Sequence, residues 1–399
     1  MANRETRPAV LIIVENLTVP VDRRVWQEAR TLIDAGYRVS VICPKDRGFE
    51  KSRETIEGID IYRHRLWEAS GPLGYLVEYV WAFTAQFWLA LRVYARARFR
   101  LIHACNPPDT IFLVAVFFKL FGVRLLFDHH DLNPELFEAK FGNRHRLFRR
   151  LVCLAERWTF RTARVSIATN ESYREVALTR GKMKPEDVFI VRSCPDVAKV
   201  RLLPAQAELK RGRPYLVVYL GTMGPQEGVD LMISAVAYLV TAKERKDVSF
   251  VFIGGGSEIP RLKTQAALEG IETFVTFTGR IPGDQLAAYL STADVCVAPD
   301  PKNPMNDKST MNKVLEYMAF ARPVVQFDLI EGRRSAGDAA LYAQPNDPLD
   351  FAEKIQALLD SESLRRELGQ RGRRRIEESL NWEIEKKALL AAYEAALKS

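Results

Sequence analysis

The segment Asp307-Lys-Ser-Thr-Met-Asn-Lys-Val-Leu-Glu-Tyr-Met-Ala319 places charged and capping residues ahead of a helical apolar pattern. Ser309 is the expected N-cap, so the amides of Thr310, Met311 and Asn312 should point out of the helix start. Unpaired amides and the helix dipole both favour an anion there. Lys308 and Lys313 add full positive charge. Glu316 lies three and four residues beyond Lys313 and Asn312 and shares their face. This set suits a diphosphate beside a ribose diol, with the carboxylate accepting from the hydroxyls. A capped helix carrying a surface ion pair would have the same residues.

A second cluster is Phe127-Asp-His-His-Asp-Leu-Asn-Pro-Glu135, holding Asp128, His129, His130 and Asp131. Adjacent histidines seldom ligate one ion and the i, i+4 geometry is absent, so no metal is expected. His130 is read as functional and His129 as a structural residue at a strand end. In Pro20-Val-Asp-Arg-Arg-Val-Trp-Gln-Glu28, the residues Asp22, Arg23, Arg24 and Glu28 open a helix. The cationic pair fits a phosphorylated acceptor, and an ordinary charged helix start fits equally well. Glycine-rich turns complete the set. Gly221, Thr222 and Gly224 lie in Gly221–Gly228, Gly255 lies in Gly254–Gly256, and Arg280 and Ile281 lie in Thr278-Gly-Arg-Ile-Pro282. Glycines there admit close backbone approach to a ligand, or simply shape turns.

These residues follow apolar runs that read as strands: Val10–Val14, Tyr37–Cys43, Leu101–Ala104, Leu125–Phe127, Val165–Ala168 and Val188–Val191. Helical segments such as Val25–Ala35 alternate with them. The rhythm restarts at Tyr215–Leu220 and continues through Val248–Ile253, Phe274–Phe277, Val295–Ala298 and Pro323–Phe327. This is the βαβ pattern of parallel sheets covered on both faces. The expected class is α/β with two Rossmann-like domains. Residues 1–200 form the first domain and 201–380 the second. A C-terminal helix over 381–399 is expected to pack back on the first. Ligands of such sheets bind beyond the strands' carboxyl ends, here in a cleft between the domains.

The 399 residues suit two domains, and 47% hydrophobic with 27% charged residues is globular composition. A net charge of +8 favours an anionic partner. No zinc-finger spacing or RNA-binding strand signature is present, which argues against nucleic acid. Five scattered cysteines read as reduced thiols, and the N-terminus is not expected to be a signal peptide. The run Leu73–Leu91 contains Glu78 and Gln86 and is followed by Arg92, Arg96, Arg98 and Arg100. Either a helix lying in a membrane interface or a core helix satisfies that pattern.

Taken in order, these motifs resemble glycosyltransferase family 4, which has the GT-B fold. The family's nucleotide-binding helix carries two glutamates spaced E-x7-E, then Gly and a Pro-Val strand. Glu316 matches the second glutamate, Lys308 stands in place of the first, and Ala321 replaces the Gly. The form with Ser, Asn and Lys is similar to a branch that makes surface polysaccharides. Family members place Arg after the first Gly of the 221–228 turn and Lys before the last, where Thr222 and Glu227 stand here. Lys308 and Lys313 are expected to restore the missing charge. Asp128, His130 and Asp131 fit the family's Asp-x-His-Glu pattern.

The resemblance implies a retaining, metal-independent glycosyltransferase without a cofactor. Its donor would be a nucleoside-diphosphate sugar, most plainly a UDP-sugar. His130, Asp131 and Glu316 are the implied catalytic set. Gly221, Thr222, Gly224, Gly255, Arg280, Ile281 and Lys308 to Lys313 with Glu316 are the implied donor contacts, and Asp22, Arg23, Arg24 and Glu28 the acceptor contacts. The implied acceptor is a polyprenyl-diphosphate-linked saccharide in exopolysaccharide, capsule or O-antigen synthesis. The implied place is cytoplasmic, at the anionic inner face of the plasma membrane. Two alternatives are a degenerate transferase acting as a non-catalytic partner and a sugar-nucleotide 2-epimerase.

Overall fold

The computed structural model describes residues 8–65, 72–141 and 146–398. The chain divides into two compact units, one running to Arg192 and resuming at Glu385, the other covering Ser193–Ile384. In unit 1 the strands are β1 (Ala9–Ile13), β2 (Arg38–Pro44), β3 (Arg53–Ile56), β4 (Ile59–His64), β5 (Leu101–Cys105), β6 (Arg124–His129), β7 (Val165–Ala168) and β8 (Val188–Ile190). They form one sheet in the order β3-β4-β2-β1-β5-β6-β7-β8. Among the described strands only β3 and β4 pair antiparallel. The helices are α1 (Arg23–Asp34), α2 (Pro72–Ala97), α3 (Phe112–Lys119), α4 (Asn133–Phe141), α5 (Arg146–Thr162) and α6 (Glu171–Thr179).

Every side chain of β1 (Ala-Val-Leu-Ile-Ile) is buried, as expected of a parallel strand with both faces covered. The β3–β4 hairpin has no counterpart among the strands expected from sequence. Its turn puts Glu57 at φ 47° and Gly58 at φ 82°, the pattern of a two-residue hairpin turn, without the usual Asn-Gly.

Unit 2 contains β9 (Tyr215–Leu220), β10 (Val248–Ile253), β11 (Val275–Gly279), β12 (Val295–Ala298), β13 (Val324–Phe327) and β14 (Ala340–Ala343). Their order is β11-β10-β9-β12-β13-β14, and every pair is parallel. Around them lie α7 (Val229–Ala237), α8 (Ile259–Leu268), α9 (Gly283–Thr292), α10 (Asn312–Ala319), α11 (Ile330–Ala336), α12 (Pro348–Asp360) and α13 (Glu362–Glu378). Two apolar clusters fill the two faces of this sheet, one under α7 and α12, the other under α10. The last helix is α14 (Trp382–Leu397). Within unit 1 its Tyr393 ring meets Tyr37 edge-on, with ring centroids 5.6 Å apart.

Both units are Rossmann-like, and in each the strand order reverses once. The reversal lies between β1 and β5 in unit 1 and between β9 and β12 in unit 2. Loops leaving the carboxyl ends of strands at such a point cannot close over the sheet, so they leave a crevice. The turn Gly221–Gly228 leaves β9, and the segment leading to α10 leaves β12.

Helix α2 spans the whole run Leu73–Leu91. Ala82, Gln86, Ala90 and Val93 are buried. Phe87 meets Phe117 edge-on at 5.0 Å, and Tyr94 lies 5.1 Å from Phe99. This part of the run is a core helix, with Trp81 and Trp88 on its outer side. The side chains of Leu73 to Tyr79 lie outside the described residues. Among the described residues no helix is long and apolar enough to cross a membrane.

Candidate functional site

In unit 2 the glycine-rich turn after β9 is stitched to the turn after β10. The Gly221 amide donates to Ile253 at 3.0 Å, Met223 donates to the Gly255 carbonyl at 2.8 Å, and Glu258 donates to Met223 at 3.1 Å. Gly254 (φ +134°) lies so close that an added Cβ would sit 1.9 Å from the Gly221 carbonyl oxygen. Only glycine fits there. The expectation that these glycines admit a ligand is therefore revised for Gly254, which admits the neighbouring turn. Gly255 and Gly224 remain half-buried, Thr222 is exposed, and the Arg280 side chain runs past Gly255. Ile281 follows it, half-buried.

The helix start differs from the expected one. Ser309 closes a short 3-10 turn (Asn306–Lys308), and its hydroxyl donates to the Met305 carbonyl at 2.9 Å. The N-cap of α10 is Met311, in extended conformation and without a side-chain cap. The first-turn amides are thus those of Asn312 and Lys313, displaced from the expected Thr310 to Asn312. A 3-10 turn preceding a helix uses up the capping hydroxyl, which spacing alone does not reveal. Lys308, Thr310 and Glu316 are half-buried, and Asn312 is exposed.

Lys313 is not a free surface cation. Its ammonium lies 2.8 and 3.1 Å from the Asp300 carboxylate oxygens and 3.1 Å from Glu227. It also sits 4.9 Å from the centre of the Tyr219 ring. Burial disfavours its charge, but Asp300, Tyr219 and Glu227 together hold it protonated well above the ordinary lysine range. Burial pushes Glu227 up, with Lys313 pulling the other way. The stem of Lys313 reaches Gly221, where an added Cβ would meet its Cε at 3.2 Å. The helix thus brings an ammonium to the turn, where Asp300 and Glu227 already pair with it.

Tyr317 holds this arrangement. Its hydroxyl accepts from the Leu220 amide at 2.7 Å and donates to Val297 at 3.1 Å, tying α10 to the ends of β9 and β12. Tyr219 donates to the Thr222 carbonyl at 2.8 Å. Asn306 donates to Gln226 at 3.1 Å and to Pro301 at 2.9 Å.

Unit 1 gathers a buried polar cluster at the carboxyl ends of β5 and β6. Arg24 donates to both oxygens of Asp128, at 3.0 and 2.7 Å, and to the Val191 carbonyl at 2.8 Å. Glu28 lies 3.2 Å from the same guanidinium, fully buried. Arg24 and Glu28 are thus internal, not displayed to an acceptor. Asp22 caps α1, accepting from the Val25 amide at 3.0 Å. Of the four expected acceptor contacts, only Arg23 is exposed. Burial would raise Asp128, yet Arg24, His130 and His103 hold it well below the ordinary carboxylate range. Burial raises Glu28 well above that range, Arg24 notwithstanding. One cation therefore faces two carboxylates, and Asp128 takes its two-point contact.

His130 is 2.5 Å from Asp128 through Nε2, and that nitrogen also lies 3.0 Å from Arg24 Nε. With Asp128 ionised and 2.5 Å away, Nε2–H donates to it, so the Arg24 Nε hydrogen goes to Asp128 and not to the His130 ring, and Nδ1 takes no part in this pair. The His130 amide donates to Asn106 at 2.6 Å, and Asn106 in turn donates to the Asp131 carbonyl at 2.7 Å. Asp109, pushed up to about 7 by burial, accepts from Asn106 and Asn133. On the other side, Tyr393 and His103 pair at 2.6 Å, and His103 Nε2 lies 3.2 Å from Asp128. Burial keeps His103 neutral, so Tyr393 O–H donates to Nδ1 and Nε2–H donates to Asp128. His103, Cys105 and Asp128 place ligand atoms within 4.8 Å of one another. Arg24 already occupies that carboxylate, and burial holds the Cys105 thiol protonated, so the trio does not fit an ion. His129 is fully buried, with Phe160 5.3 Å and Tyr173 5.0 Å from its ring. Burial lowers it to about 3.

Comparison with known proteins adds two family matches. Residues 21–194 match the model for the glycosyl transferase 4-like domain, and residues 214–361 match that for glycosyl transferases group 1. Sucrose-phosphate synthase from Thermosynechococcus elongatus superposes with a TM-score of 0.77 at 18% identity, covering 97% of this chain and 98% of that one. The chain belongs to the GT-B glycosyltransferase family.

Among solved structures this glycosyltransferase also resembles HepE from Anabaena in complex with UDP and glucose. There the TM-score is 0.74 and the identity 14%, over 96% of this chain and 99% of that one. A D-inositol 3-phosphate glycosyltransferase from Geodermatophilus obscurus is 31% identical over 45% of this chain and 40% of its own length. A 2-deoxystreptamine glucosyltransferase from Streptomyces kanamyceticus is 23% identical, over 53% and 55%. The matches span about two fifths to just over half of these curated relatives.

Sequence reasoning missed several residues of these two separate clusters: Asp300, Tyr219, Tyr317 and Asn306 in unit 2, and Asn106, Asp109 and His103 in unit 1. Asp300 follows the strand Val295–Ala298 almost directly, and that position was its available signal. Tyr219 and Tyr317 read as core aromatics, and their hydroxyls show their partners only in three dimensions.

Proposed function

We propose that this glycosyltransferase moves a sugar, with retention of configuration, from a UDP-sugar to a lipid-linked saccharide acceptor. The pathway class is exopolysaccharide, capsule or O-antigen synthesis, at the cytoplasmic face of an anionic membrane. One observation carries the reading. The Gly221–Gly228 turn, the start of α10 and the Lys313 ammonium converge at the switch point of the second sheet. Glu316 lies one helical turn beyond Lys313.

In this assignment Glu316 accepts from the ribose hydroxyls. The amides of Asn312 and Lys313, with Lys308 and Arg280, stabilise the departing diphosphate without a metal. The leaving phosphate takes the proton of the incoming hydroxyl. His130 Nδ1 hydrogen-bonds the transferred sugar or phosphate, with Asp128 fixing its tautomer and Asn106 holding its backbone. Asp131 stands beside it, and Arg23 is the remaining acceptor contact. The HepE structure, which holds UDP and glucose in the same fold, supports a uridine donor. A mannosyltransferase from Mycobacterium tuberculosis, 34% identical over 29% of each chain, carries GDP-mannose dependence in its name, so GDP is the proper comparison.

The test is a calorimetric titration of UDP and GDP into wild type and Glu316→Ala, with and without magnesium. Metal-independent UDP binding that weakens at least tenfold in Glu316→Ala is the expected result. A folded protein that binds neither nucleotide would overturn the reading in favour of a non-catalytic partner. Turnover of donor without any acceptor would favour a 2-epimerase.

A further inference from the structure

Helix α5 is built the wrong way round for a surface helix. Leu147, Leu151, Leu154 and Trp158 follow i, i+4, i+7 and i+11 spacing, which makes one stripe. That stripe faces outward, with exposures of 68, 52, 49 and 47%. The opposite face, with Glu156, Thr159 and Phe160, is the buried one. Along one flank of the stripe run Arg146, Arg150, Arg157 and Arg161, all exposed. A soluble helix gains nothing from this inversion, so something apolar must cover the stripe.

The neighbouring helix continues the surface. Helix α3 packs against both α2 and α5. Its Leu113 and Val116, with Leu120 just beyond its end, are also exposed, and so is Trp88 on α2. Right-handed crossovers place all three helices on the same face of the sheet.

A second observation identifies what covers it. At the C-terminal end of α5 lies a cavity of about 460 Å³ lined by Arg157, Arg161, Arg164, Lys182, Lys184 and Asp187. Asp187 is 4.0 Å from Arg164. Among the described residues no carboxylate pairs with Arg157, Arg161, Lys182 or Lys184, and Arg161 lies over the Trp158 ring at 5.3 Å. Unneutralised cations in a concavity call for an anionic group, and the adjoining stripe calls for hydrocarbon. A phospholipid supplies both within one molecule.

We propose that α5 is the membrane-docking element of this protein. Its leucines and Trp158 enter the acyl boundary of an anionic bilayer, while the cationic cavity holds a lipid phosphate. This rests on the lipid-linked acceptor reading and names the surface that would bring the enzyme to it. A second copy of the chain would cover the leucines but would bring the same arginines against each other.

The test is co-sedimentation of the full chain with phosphatidylcholine vesicles, with or without phosphatidylglycerol. Wild type should bind only the vesicles containing phosphatidylglycerol, less at high salt. Arg161→Gln/Lys182→Gln/Lys184→Gln should lower partitioning on the order of a hundredfold, at about 1 kcal/mol per cation. Leu151→Ser/Leu154→Ser/Trp158→Ser should also abolish it. These substitutions are exposed and lie outside unit 2, so both variants should bind UDP as wild type does. Equal sedimentation of wild type and variants, or no wild-type binding, overturns the proposal. So does a wild-type dimer in equilibrium sedimentation that the leucine variant abolishes. Cavity-dependent binding of inorganic phosphate without vesicle binding overturns it too. Loss of UDP binding with intact vesicle binding would sink the transferase reading alone.

Discussion

Lys313→Met tests whether one buried ammonium holds the donor turn together. The substitution keeps the apolar stem against Tyr219 and Gly221 and removes the charge. It strands the Asp300 carboxylate, whose side chain is 3% exposed, and leaves Glu227 at 20% exposure to find water. Unpairing a buried charge costs about 3–5 kcal/mol, and nearly all of it should fall on Asp300. The variant can escape by protonating a carboxyl that is raised in the fold relative to the unfolded chain. Such a group makes the fold more stable as pH falls. Urea unfolding should therefore show a deficit of about 3–5 kcal/mol at neutral pH that shrinks as the pH approaches the carboxylate range. Lys313→Met/Asp300→Asn should recover most of it. UDP affinity should fall in both, because the ammonium is gone from the turn. A deficit below about 1 kcal/mol, or a double variant less stable than Lys313→Met, would refute the reasoning.

Two further outcomes follow from local geometry. Helix α10 ends with Ala321 at φ 54°, where Ala321 donates to Met318 and Arg322 donates to Tyr317 in a Schellman pattern. Ala321→Gly relieves that left-handed strain and should stabilise unit 2 by about 1 kcal/mol, seen as a calorimetric shift of roughly 2–4 °C. Tyr393→Phe removes the hydroxyl that serves His103 and should cost about 1–3 kcal/mol, because a buried ring nitrogen loses its partner. Nitrogen-detected NMR should show the Nε2–H tautomer of His103 in wild type and in the variant alike, because Asp128 still accepts from Nε2–H. An Nδ1–H tautomer in wild type would refute the assigned direction of the Tyr393 hydrogen bond.

The order of strands and the positions of the motifs after them were legible because buried parallel strands read as apolar runs. The turn at Gly221, the loop at Gly254 and the Asp128–Asp131 cluster all sit at strand ends in the structure. Charge was less legible. Arg24, Glu28 and Lys313 look alike in sequence to surface residues. Burial is decided by what faces them from distant strands, so Asp128 and Asp300 turn them inward. Ser309 has the composition of a cap, yet a 3-10 turn claims it first. The outward stripe of α5 obeys helical periodicity perfectly well. Periodicity shows that a helix has an apolar face and says nothing about which way that face points.

The exchange of charge between turn and helix constrains how this site can change. The family pattern that this sequence resembles places a lysine where Glu227 stands. Restoring lysine at 227 alone would bring two ammonium groups to one buried pocket with only Asp300 between them. Removing Lys313 alone would leave two carboxylates facing each other. Each single step leaves a charge badly paired in a buried pocket, so positions 227 and 313 are expected to move together. They should covary strictly, as a two-letter word that is either kept or inverted, and that word would sort chains of this kind into two groups without reference to their sugars.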